Sequence, residues 1–541
     1  MLLSLSSLFK LSEKQHSLKA KGLFISFIII IIVSSTISNL YLNNHWESRE
    51  NFNEYYLIYP HNCYEEVDPS KFKNSRSENV IWTSATRGEY EPITFVIYAL
   101  KNIEGLKVKI RDLICGEHAI SNDNVKVYFV SRSLQRRWPS LSPRIRNCEL
   151  VSRFLLSENE VNIKANHFKQ VWLTIKVPNN IPSGTYEGAI RIVSNNAPFT
   201  EIKLLLEVLP FRLLSPPHKK YGMYFMESLN SKLIEVELTD LREHGVNVLY
   251  WSSISINYVK SNDSIKINYD NVERGIKLLL TYGFEGPIIV NTNFVTLAKL
   301  LGHKDVMSRT GYELGKSLDS DEEFIKLARK AIEGLLKLKE ERNWPELVFT
   351  HLDEILWRNR YLLYIRLTKP IKDVFNVKFY ITFYFRSYPK CWSLVNVVDP
   401  YVDTRCYDGH SIDEWLAYGH SFDELRRELE ESGDEAWTYY NPRNIEVSPK
   451  WMRIINGLWM WITPFKVHIP WCYYDYEGDP LYDLDGYDYC FAFPVNGTIV
   501  PTRLWEAYRE GVDDMKYIYT LEVVIKKAKR ANIELAFEAE R

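Results

Sequence analysis

The residues best placed for acid–base chemistry are two adjacent carboxylates, Asp353 and Glu354. They follow a short, mostly apolar run, Leu347 to Leu352, which predicts a buried strand that presents both acids at its carboxyl end. Substrates of parallel α/β folds bind at the carboxyl ends of the strands, so the pair lies where catalysis is expected. A loop in which Asp353 caps the next segment and Glu354 is a solvated charge would explain the dipeptide equally well.

Other predicted strand ends carry side chains suited to a polyhydroxylated ligand. A sugar pocket needs flat apolar faces beside fixed donors and acceptors, and aromatic residues with amides and charges supply both. For each residue singly, packing in the core is an equally good explanation. The candidate substrate-binding residues are Tyr224, Trp251, Asn291, Tyr384, Arg386, Asp403, Tyr439, Tyr440, Trp471 and Tyr473.

Strands alternate with amphipathic helices over the second part of the chain. Roughly eight such units are typical of a (β/α)8 TIM barrel, and the acid pair then follows the fourth strand. The predicted helices include 270–282, 322–341, 422–431 and 450–461. The predicted strands are 222–226, 246–251, 287–291, 347–352, 378–384, 401–406, 436–440 and 468–473.

The part of the chain before the predicted barrel has a different pattern of apolar and polar residues. From about Tyr55 to Leu209, short runs alternate between apolar and polar residues, a pattern that predicts an antiparallel β-sandwich. Paired prolines near Pro216 indicate a connection between two domains. The predicted organisation is a basic and hydrophobic N-terminal segment over 1–42, a sandwich over 50–212, and a barrel with C-terminal helices over 220–541.

Composition excludes several classes of function. The chain has 541 residues, and 67 basic side chains balance 69 acidic ones, so no global field favours nucleic acid as a partner. None of the seven cysteines forms a C-x-x-C pair, and the acidic run from Asp475 to Asp488 lacks the spacing of an EF-hand. The sequence therefore predicts no metal site and no cofactor.

The first 42 residues indicate export. Lys10, Lys14, Lys19 and Lys21 precede a strongly apolar stretch from Leu23 to Val33, so the positive-inside rule places the following chain outside the cytoplasm. The short apolar core favours a signal peptide, whereas the long basic region and the tail to Leu42 favour an uncleaved membrane anchor. We expect an exported protein, either secreted or anchored at the cell surface.

Two motifs carry a resemblance to a known family. Near the C-terminus, Arg509-Glu510-Gly511 is followed by Asp514 and then by aromatic residues and Leu521, in a stretch interpreted as helix, glycine break and second helix. Near the start stands the run Arg87-Gly88-Glu89-Tyr90-Glu91-Pro92. With the preceding Phe493-Pro494 loop, these stretches resemble glycoside hydrolase family 123 over nearly the whole predicted exported part.

The resemblance implies a sandwich followed by a barrel, and a retaining exo-β-N-acetylgalactosaminidase whose catalytic acids are Asp353 and Glu354. Retaining glycosidases usually place two carboxyl groups about 5 Å apart across the bond, whereas neighbours on a regular strand point to opposite faces. Adjacent acids suit substrate-assisted catalysis, provided that the pleat relaxes. The 2-acetamido group then attacks C1, Asp353 holds the amide, and Glu354, kept protonated by burial beside an anionic Asp353, protonates the leaving oxygen.

Two alternatives remain open. One is a β-N-acetylhexosaminidase of other specificity. The other is a non-catalytic surface carbohydrate-binding or cell-envelope protein built on an inactive barrel, since a fold does not determine a function. In each case the expected partner is a glycan that contains N-acetylhexosamine, with a membrane contacted through the N-terminal segment.

Overall fold

The computed structural model describes most of the chain after residue 53. The described residues are 54–70, 79–136, 148–262, 264–303, 306, 318, 320–356, 360–384, 392–441, 448–482, 488–495 and 497–530. The N-terminal segment over 1–42 lies outside them. Within these ranges, no helix combines the length and the apolar character needed to cross a membrane.

The chain divides into two compact units. The first comprises residues 1–130, 157–216 and 513–541, and the second comprises 131–156 and 217–512. The segments 131–156 and 513–541 thus group differently from the predicted domain ranges.

Antiparallel strands dominate the first unit. Its strands, together with β8 of the second unit, are β1 (Tyr56–His61), β2 (Val80–Ala85), β3 (Tyr90–Ala99), β4 (Ile103–Ile110), β5 (Leu113–Cys115), β6 (His118–Ile120), β7 (Val125–Arg136), β8 (Cys148–Leu156), β9 (Val161–Ile163), β10 (Phe168–Lys176), β11 (Gly184–Val193) and β12 (Thr200–Val208). A 3-10 turn, Asn122–Asn124, precedes β7.

Two sheets of the first unit share one core. One sheet runs in the order β1-β3-β10-β7, and the other in the order β2-β12-β11-β4-β9 with β5 and β6 beside β11. Phe95 and Leu173 from the first sheet pack in the same apolar cluster as Ile190 and Leu204 from the second. Alternate residues of each strand point into this cluster, which is the burial expected of two stacked sheets.

The N-terminal motif contacts residues that follow Gly511 inside the first unit. Glu89, from the run that begins at Arg87, accepts hydrogen bonds from the Thr86 backbone N–H at 2.6 Å and from the Tyr517 hydroxyl at 2.8 Å. Burial and then the charge of Asp513 raise the pKa of Glu89 to about 7. Both ends of the unit therefore converge on one buried carboxyl group.

A parallel barrel forms the second unit. Its strands are β13 (Lys220–Phe225), β14 (Val248–Trp251), β17 (Ile288–Asn291), β18 (Leu347–Thr350), β19 (Lys378–Phe383), β20 (Thr404–Asp408), β21 (Glu435–Tyr439) and β22 (Val467–His468). Neighbouring strands in chain order pair with each other except β14 and β17, and β22 pairs with β13, so the sheet runs in the order β14-β13-β22-β21-β20-β19-β18-β17. The last gap is bridged where Ser255, just after β14, pairs with Asn291 of β17. All eight predicted strands are present, so the predicted alternation is confirmed.

Helices separate most of these strands. They are α1 (Ile234–Glu243), α2 (Asp270–Thr281), α3 (Phe294–Leu300), α4 (Glu322–Arg342), α5 (Arg360–Lys372), α6 (Ser393–Val398), α7 (Gly409–Ala417), α8 (Phe422–Ser432), α9 (Pro449–Ile454), α10 (Met460–Ile462) and α11 (Arg503–Arg530). Asp399–Tyr401 is a 3-10 turn, and Ile455–Trp459 is a π-helical segment that joins α9 to α10. Small hairpins add β15 (Asn257–Ser261) with β16 (Ser264–Asn268), β23 (Tyr474–Asp475) with β24 (Tyr489–Cys490), and β25 (Ala492–Val495) with β26 (Thr498–Pro501).

The predicted helix break at Gly511 is wrong, because α11 continues through it from Arg503 to Arg530. A Cβ atom at Gly511 would lie 2.6 Å from the Arg453 carbonyl oxygen and 2.6 Å from the Asn456 Cβ. The glycine therefore permits close packing of α11 against the segment that begins with α9, and it does not end a helix. Arg509, two residues earlier, is buried and donates a hydrogen bond to Glu506.

Candidate active site

The acid pair lies where the sequence predicts it, just past the carboxyl end of the fourth barrel strand. All four residues of β18 are buried, as expected for a parallel strand covered on both faces. The strand ends at Thr350, and Asp353 and Glu354 stand in the loop that follows. Glu354 has a left-handed backbone with φ of 45°. The strict alternation of a pleated strand therefore no longer applies to the two carboxylates.

A threonine on the neighbouring strand β19 binds both acidic residues. The Thr382 hydroxyl donates a hydrogen bond to Asp353 Oδ1, and its oxygen accepts the backbone N–H of Glu354 at 2.7 Å. Thr382 itself is buried. One side chain thus contacts the carboxylate of the first acid and the main chain of the second.

Asp353 is open to water, while protein atoms crowd its carboxyl group. The region that Asp353 shares with Thr382, Tyr250 and Tyr439 is called the cleft below. Burial raises its pKa, while the hydrogen bond from Thr382, the Glu354 backbone N–H and the charge of Arg360 each lower it. The net pKa of Asp353 is raised above that of an ordinary aspartate. Burial therefore outweighs the three groups that favour the carboxylate.

Tyrosines form the floor of the cleft beside Asp353. Tyr224 stacks on Tyr250 with the ring centroids 4.4 Å apart, and the two residues are opposite each other in the pairing of β13 with β14. The Tyr224 and Tyr380 hydroxyls are hydrogen-bonded at 2.7 Å. Burial and then the charge of Asp353 raise the pKa of both Tyr224 and Tyr250. These rings therefore face the acid pair and remain uncharged at neutral pH.

Tyr439 connects this floor to Glu354. Its hydroxyl donates to Glu354 Oε1 at 3.5 Å, from the seventh barrel strand. Burial and then the charges of Asp408, Glu354 and Asp353 raise the pKa of Tyr439. Because the charges of both acids raise the pKa of the Tyr439 hydroxyl, the two carboxylates lie near the same part of the cleft.

Two further predicted residues support the same floor. Trp471 is half-buried, and its ring lies 5.4 Å from that of Tyr224. Asn291 hydrogen-bonds to Tyr250, and its Oδ1 accepts the Asn293 backbone N–H at 2.9 Å. Tyr384 is half-buried just after β19. Arg386 lies outside the described residues.

Four predicted substrate-binding residues have other contacts. The fully buried Trp251 donates its indole N–H to the Glu227 carbonyl oxygen at 2.6 Å, and Tyr473 donates its hydroxyl to Asp240 Oδ2 at 2.6 Å. Tyr440 is buried edge-on against Trp459 at 5.4 Å. The prediction for these three is corrected because each side chain is buried against protein groups. Trp251 and Tyr440 each follow a residue whose side chain faces the acid pair, Tyr250 and Tyr439, and neighbours on a strand point to opposite faces.

Asp403 is corrected for a different reason. Strand β20 begins at Thr404, so Asp403 lies at its amino end and not at the carboxyl end where the acid pair lies. Its carboxylate accepts two hydrogen bonds from Lys372 Nζ, at 2.7 and 2.8 Å, and one from the Phe379 backbone N–H at 2.8 Å. The residue therefore stabilises the amino end of the barrel.

Sequence reasoning missed Tyr250, Tyr380 and Thr382. A signal for two of them exists, because Tyr380, Thr382 and Tyr384 are spaced by two on and just after β19 and hence share a face. Tyr250 could have been found from Tyr224, its partner in register on the adjacent strand.

Among the described residues, no group of three or more His, Cys, Asp or Glu side chains could hold a metal ion. The six described cysteines are free thiols: Cys63, Cys115, Cys148, Cys406, Cys472 and Cys490. The described site brings two carboxyl groups together with several phenols. A pair of carboxyl groups is the set of side chains that most glycoside hydrolases use.

Comparison with known proteins identifies a family that this chain resembles. Residues 62–194 match the model described as the glycoside hydrolase 123 N-terminal domain. A family 123 glycoside hydrolase from Clostridium perfringens, whose structure was determined to explain glycolipid glycan hydrolysis, has the same fold. The two chains are 15% identical, with a TM-score of 0.64 over 88% of this chain and 90% of that one. The predicted resemblance to glycoside hydrolase family 123 is confirmed.

Two further glycoside hydrolase structures are less similar to this chain than the Clostridium perfringens enzyme. A family 39 glycoside hydrolase from Bacteroides cellulosilyticus WH2 is 10% identical, with a TM-score of 0.36 over 81% of this chain and 82% of that one. A Bacteroides ovatus GH5 xyloglucanase is 9% identical, with a TM-score of 0.31 over 84% of this chain and its own full length. No curated protein sequence matches the chain.

Proposed function

We propose that this protein is a retaining exo-β-N-acetylgalactosaminidase that uses the 2-acetamido group of its substrate as the nucleophile. The observation that carries the proposal is the position of Asp353 and Glu354 on a tyrosine floor, with Thr382 bound to the first acid and Tyr439 to the second. The likeness to a family 123 enzyme that hydrolyses a glycolipid glycan supports the same substrate class.

The arrangement suits a two-step reaction. In the first step the acetamido oxygen forms a bond to C1 as the C1–O bond to the leaving group breaks, and Glu354 gives its proton to the departing oxygen. Anionic Asp353 holds the amide N–H and stabilises the positive charge of the oxazolinium ring. In the second step Glu354 removes a proton from water, which attacks C1 and reopens the ring with net retention.

The tyrosine floor supports recognition of the sugar. The half-buried rings of Tyr250 and Trp471 offer apolar faces against which the C–H face of a pyranose packs, and the buried Tyr224 between them holds both rings in place. The rings remain neutral at working pH, so they add no charge that would compete with Asp353 for the oxazolinium. This environment favours a neutral sugar over an anionic one.

A substrate panel tests the proposal. We expect turnover of 4-nitrophenyl β-N-acetylgalactosaminide by the wild type, slower turnover of the gluco epimer, and retention of anomeric configuration by proton NMR. The double variant Asp353→Asn/Glu354→Gln is the control for contaminating activity. Faster turnover of the gluco epimer would instead identify a β-N-acetylhexosaminidase of other specificity.

Absence of turnover on every N-acetylhexosaminide, with binding of the sugars retained, would identify a non-catalytic carbohydrate-binding protein.

We also propose that the protein acts outside the cytoplasm, because residues 1–42 combine a basic flank with an apolar stretch. Detection of the protein in the cytoplasmic fraction after separation of membranes and medium would contradict that localisation.

A further inference from the structure

The Thr382 hydroxyl contacts both acidic residues of the candidate site. Thr382 lies on β19, the strand beside the one that leads to the acid pair. Its oxygen accepts the Glu354 backbone N–H at 2.7 Å, and its hydrogen is donated to Asp353 Oδ1.

These two bonds determine which way the hydroxyl points. A threonine hydroxyl has one hydrogen and two acceptor lone pairs. Because the Glu354 N–H can only donate and an ionised Asp353 can only accept, the hydroxyl hydrogen of Thr382 is directed to Asp353. A hydrogen bond donated to a carboxylate favours its charged form, so this orientation opposes the effect of burial on Asp353.

We infer that Thr382 is a positioning residue that locks Asp353 and Glu354 into one geometry and keeps Asp353 anionic during catalysis. The inference rests on the proposed function for its catalytic meaning. Thr382 needs no contact with the sugar for this role, because it acts through the orientation and the charge of Asp353. It adds to the acid pair a residue that neither motif of the family resemblance contains.

Few of the described groups around Asp353 favour its charged form, so the hydrogen bond from Thr382 matters for the ionisation of Asp353. Arg360 at the start of α5 is the cation whose charge lowers the pKa of Asp353, and it also donates to the Asp353 carbonyl oxygen at 3.3 Å. Glu354 is the neighbouring carboxyl group, and four further described groups interact with the charge of Asp353: Tyr224 on β13, Tyr250 on β14, Cys406 on β20 and Tyr439 on β21. Burial raises the pKa of each of these four groups, so they are neutral at pH 7 and do not stabilise the carboxylate.

The test compares Thr382→Val, which keeps the shape and removes the hydroxyl, with Thr382→Ser, which keeps the hydroxyl. We expect the acid limb of the pH profile of kcat/KM, which reports ionisation of Asp353, to move up by about one pH unit in Thr382→Val. We also expect kcat at the optimum to fall between about 10- and 100-fold, because the acid pair is no longer fixed. Thr382→Ser should restore the wild-type limb.

Thr438→Val is the matched control. Thr438 is also a buried threonine in a barrel strand, but its hydroxyl donates to the Tyr407 carbonyl oxygen at 3.0 Å. Its pH profile should match that of the wild type. An unmoved acid limb in Thr382→Val, or equal losses in Thr382→Ser and Thr382→Val, would overturn the inference.

A second measurement separates this inference from the proposed function. Carbon-13 NMR of aspartate carboxyl groups, with Asp353→Asn to assign the signal, reports the pKa of Asp353 without any substrate. A higher pKa in Thr382→Val would support the role of Thr382 even if no glycoside were hydrolysed, and an unchanged pKa would reject it even if the wild type were active. If Thr382→Val does not fold, Thr382→Ala is titrated in its place with the same expected outcomes.

Discussion

Glu354 follows Asp353 in a left-handed backbone conformation, φ 45°, and this turn lets two consecutive carboxylates serve one cleft. A non-glycine residue in this region costs on the order of 1 kcal/mol, so the surrounding structure must stabilise it. The hydrogen bond from the Glu354 N–H to Thr382 is one such interaction. Substrate-assisted catalysis by adjacent acids requires this departure from the pleat.

Separate substitutions of the two acids should have different signatures. Glu354→Gln should lower kcat by about 10²- to 10⁴-fold on substrates with poor leaving groups, and far less on activated aryl glycosides that need no proton. Asp353→Asn should lower kcat by about 10²- to 10³-fold on both classes, because it removes the charge that stabilises the oxazolinium. Steady-state kinetics over a series of phenols measures this. A loss in Glu354→Gln that is independent of the leaving group would show that Glu354 is not the acid.

Tyr439 should act through Glu354. Tyr439→Phe removes the donor that lies 3.5 Å from Glu354 Oε1, so we expect a loss of about 3- to 10-fold in kcat on poor leaving groups and almost none on activated ones. Tyr440→Phe is the matched control, since Tyr440 is the next residue and packs against Trp459. Equal losses in the two variants would indicate a general effect on the barrel.

The first unit should lose stability as the pH rises towards 8. Its buried Glu89 has a pKa raised to about 7, so the folded state binds a proton that the unfolded state releases near pH 4.5. The stabilisation is complete below that lower pH and is lost as the pH rises through 7. We expect a decrease of about 2–3 kcal/mol in the free energy of unfolding between pH 5 and pH 8.

Denaturant unfolding at several pH values measures this effect. Glu89→Gln should flatten the decrease because an amide does not titrate. Glu187→Gln is the control, since Glu187 forms an exposed ion pair with Lys203. A wild-type slope that persists in Glu89→Gln would assign the pH dependence to another group.

Much of the barrel could be predicted from the sequence because its parallel strands are buried on both faces and stand out as apolar runs. The acid pair was found for the same reason, as the polar end of β18. Cleft-facing residues were harder to choose, because one step along a strand reverses the face. The pattern predicts substrate contact for Trp251, whereas its neighbour Tyr250 faces Asp353, and the same shift by one residue separates the predicted Tyr440 from Tyr439.

Other errors came from contacts between distant segments. Gly511 predicts a helix end from local preference, but its missing side chain accommodates the Arg453 carbonyl oxygen on another helix. The sequence predicts that β20 begins before Asp403, but the strand begins at Thr404. The Asp403 carboxylate instead accepts a hydrogen bond from Lys372. Thr382 has no distinctive sequence pattern, and its importance follows only from the two hydrogen bonds it makes.

The central claim is that the substrate supplies the nucleophile, and a matched pair of substrates tests it most directly. The two are 4-nitrophenyl β-N-acetylgalactosaminide and 4-nitrophenyl β-galactoside, which differ only in the acetamido or hydroxyl group at C2. We predict turnover of the first alone, and inhibition of that turnover by a thiazoline mimic of the oxazolinium. Efficient hydrolysis of the 2-hydroxyl substrate, or a covalent glycosyl ester trapped on any carboxylate, would contradict the account.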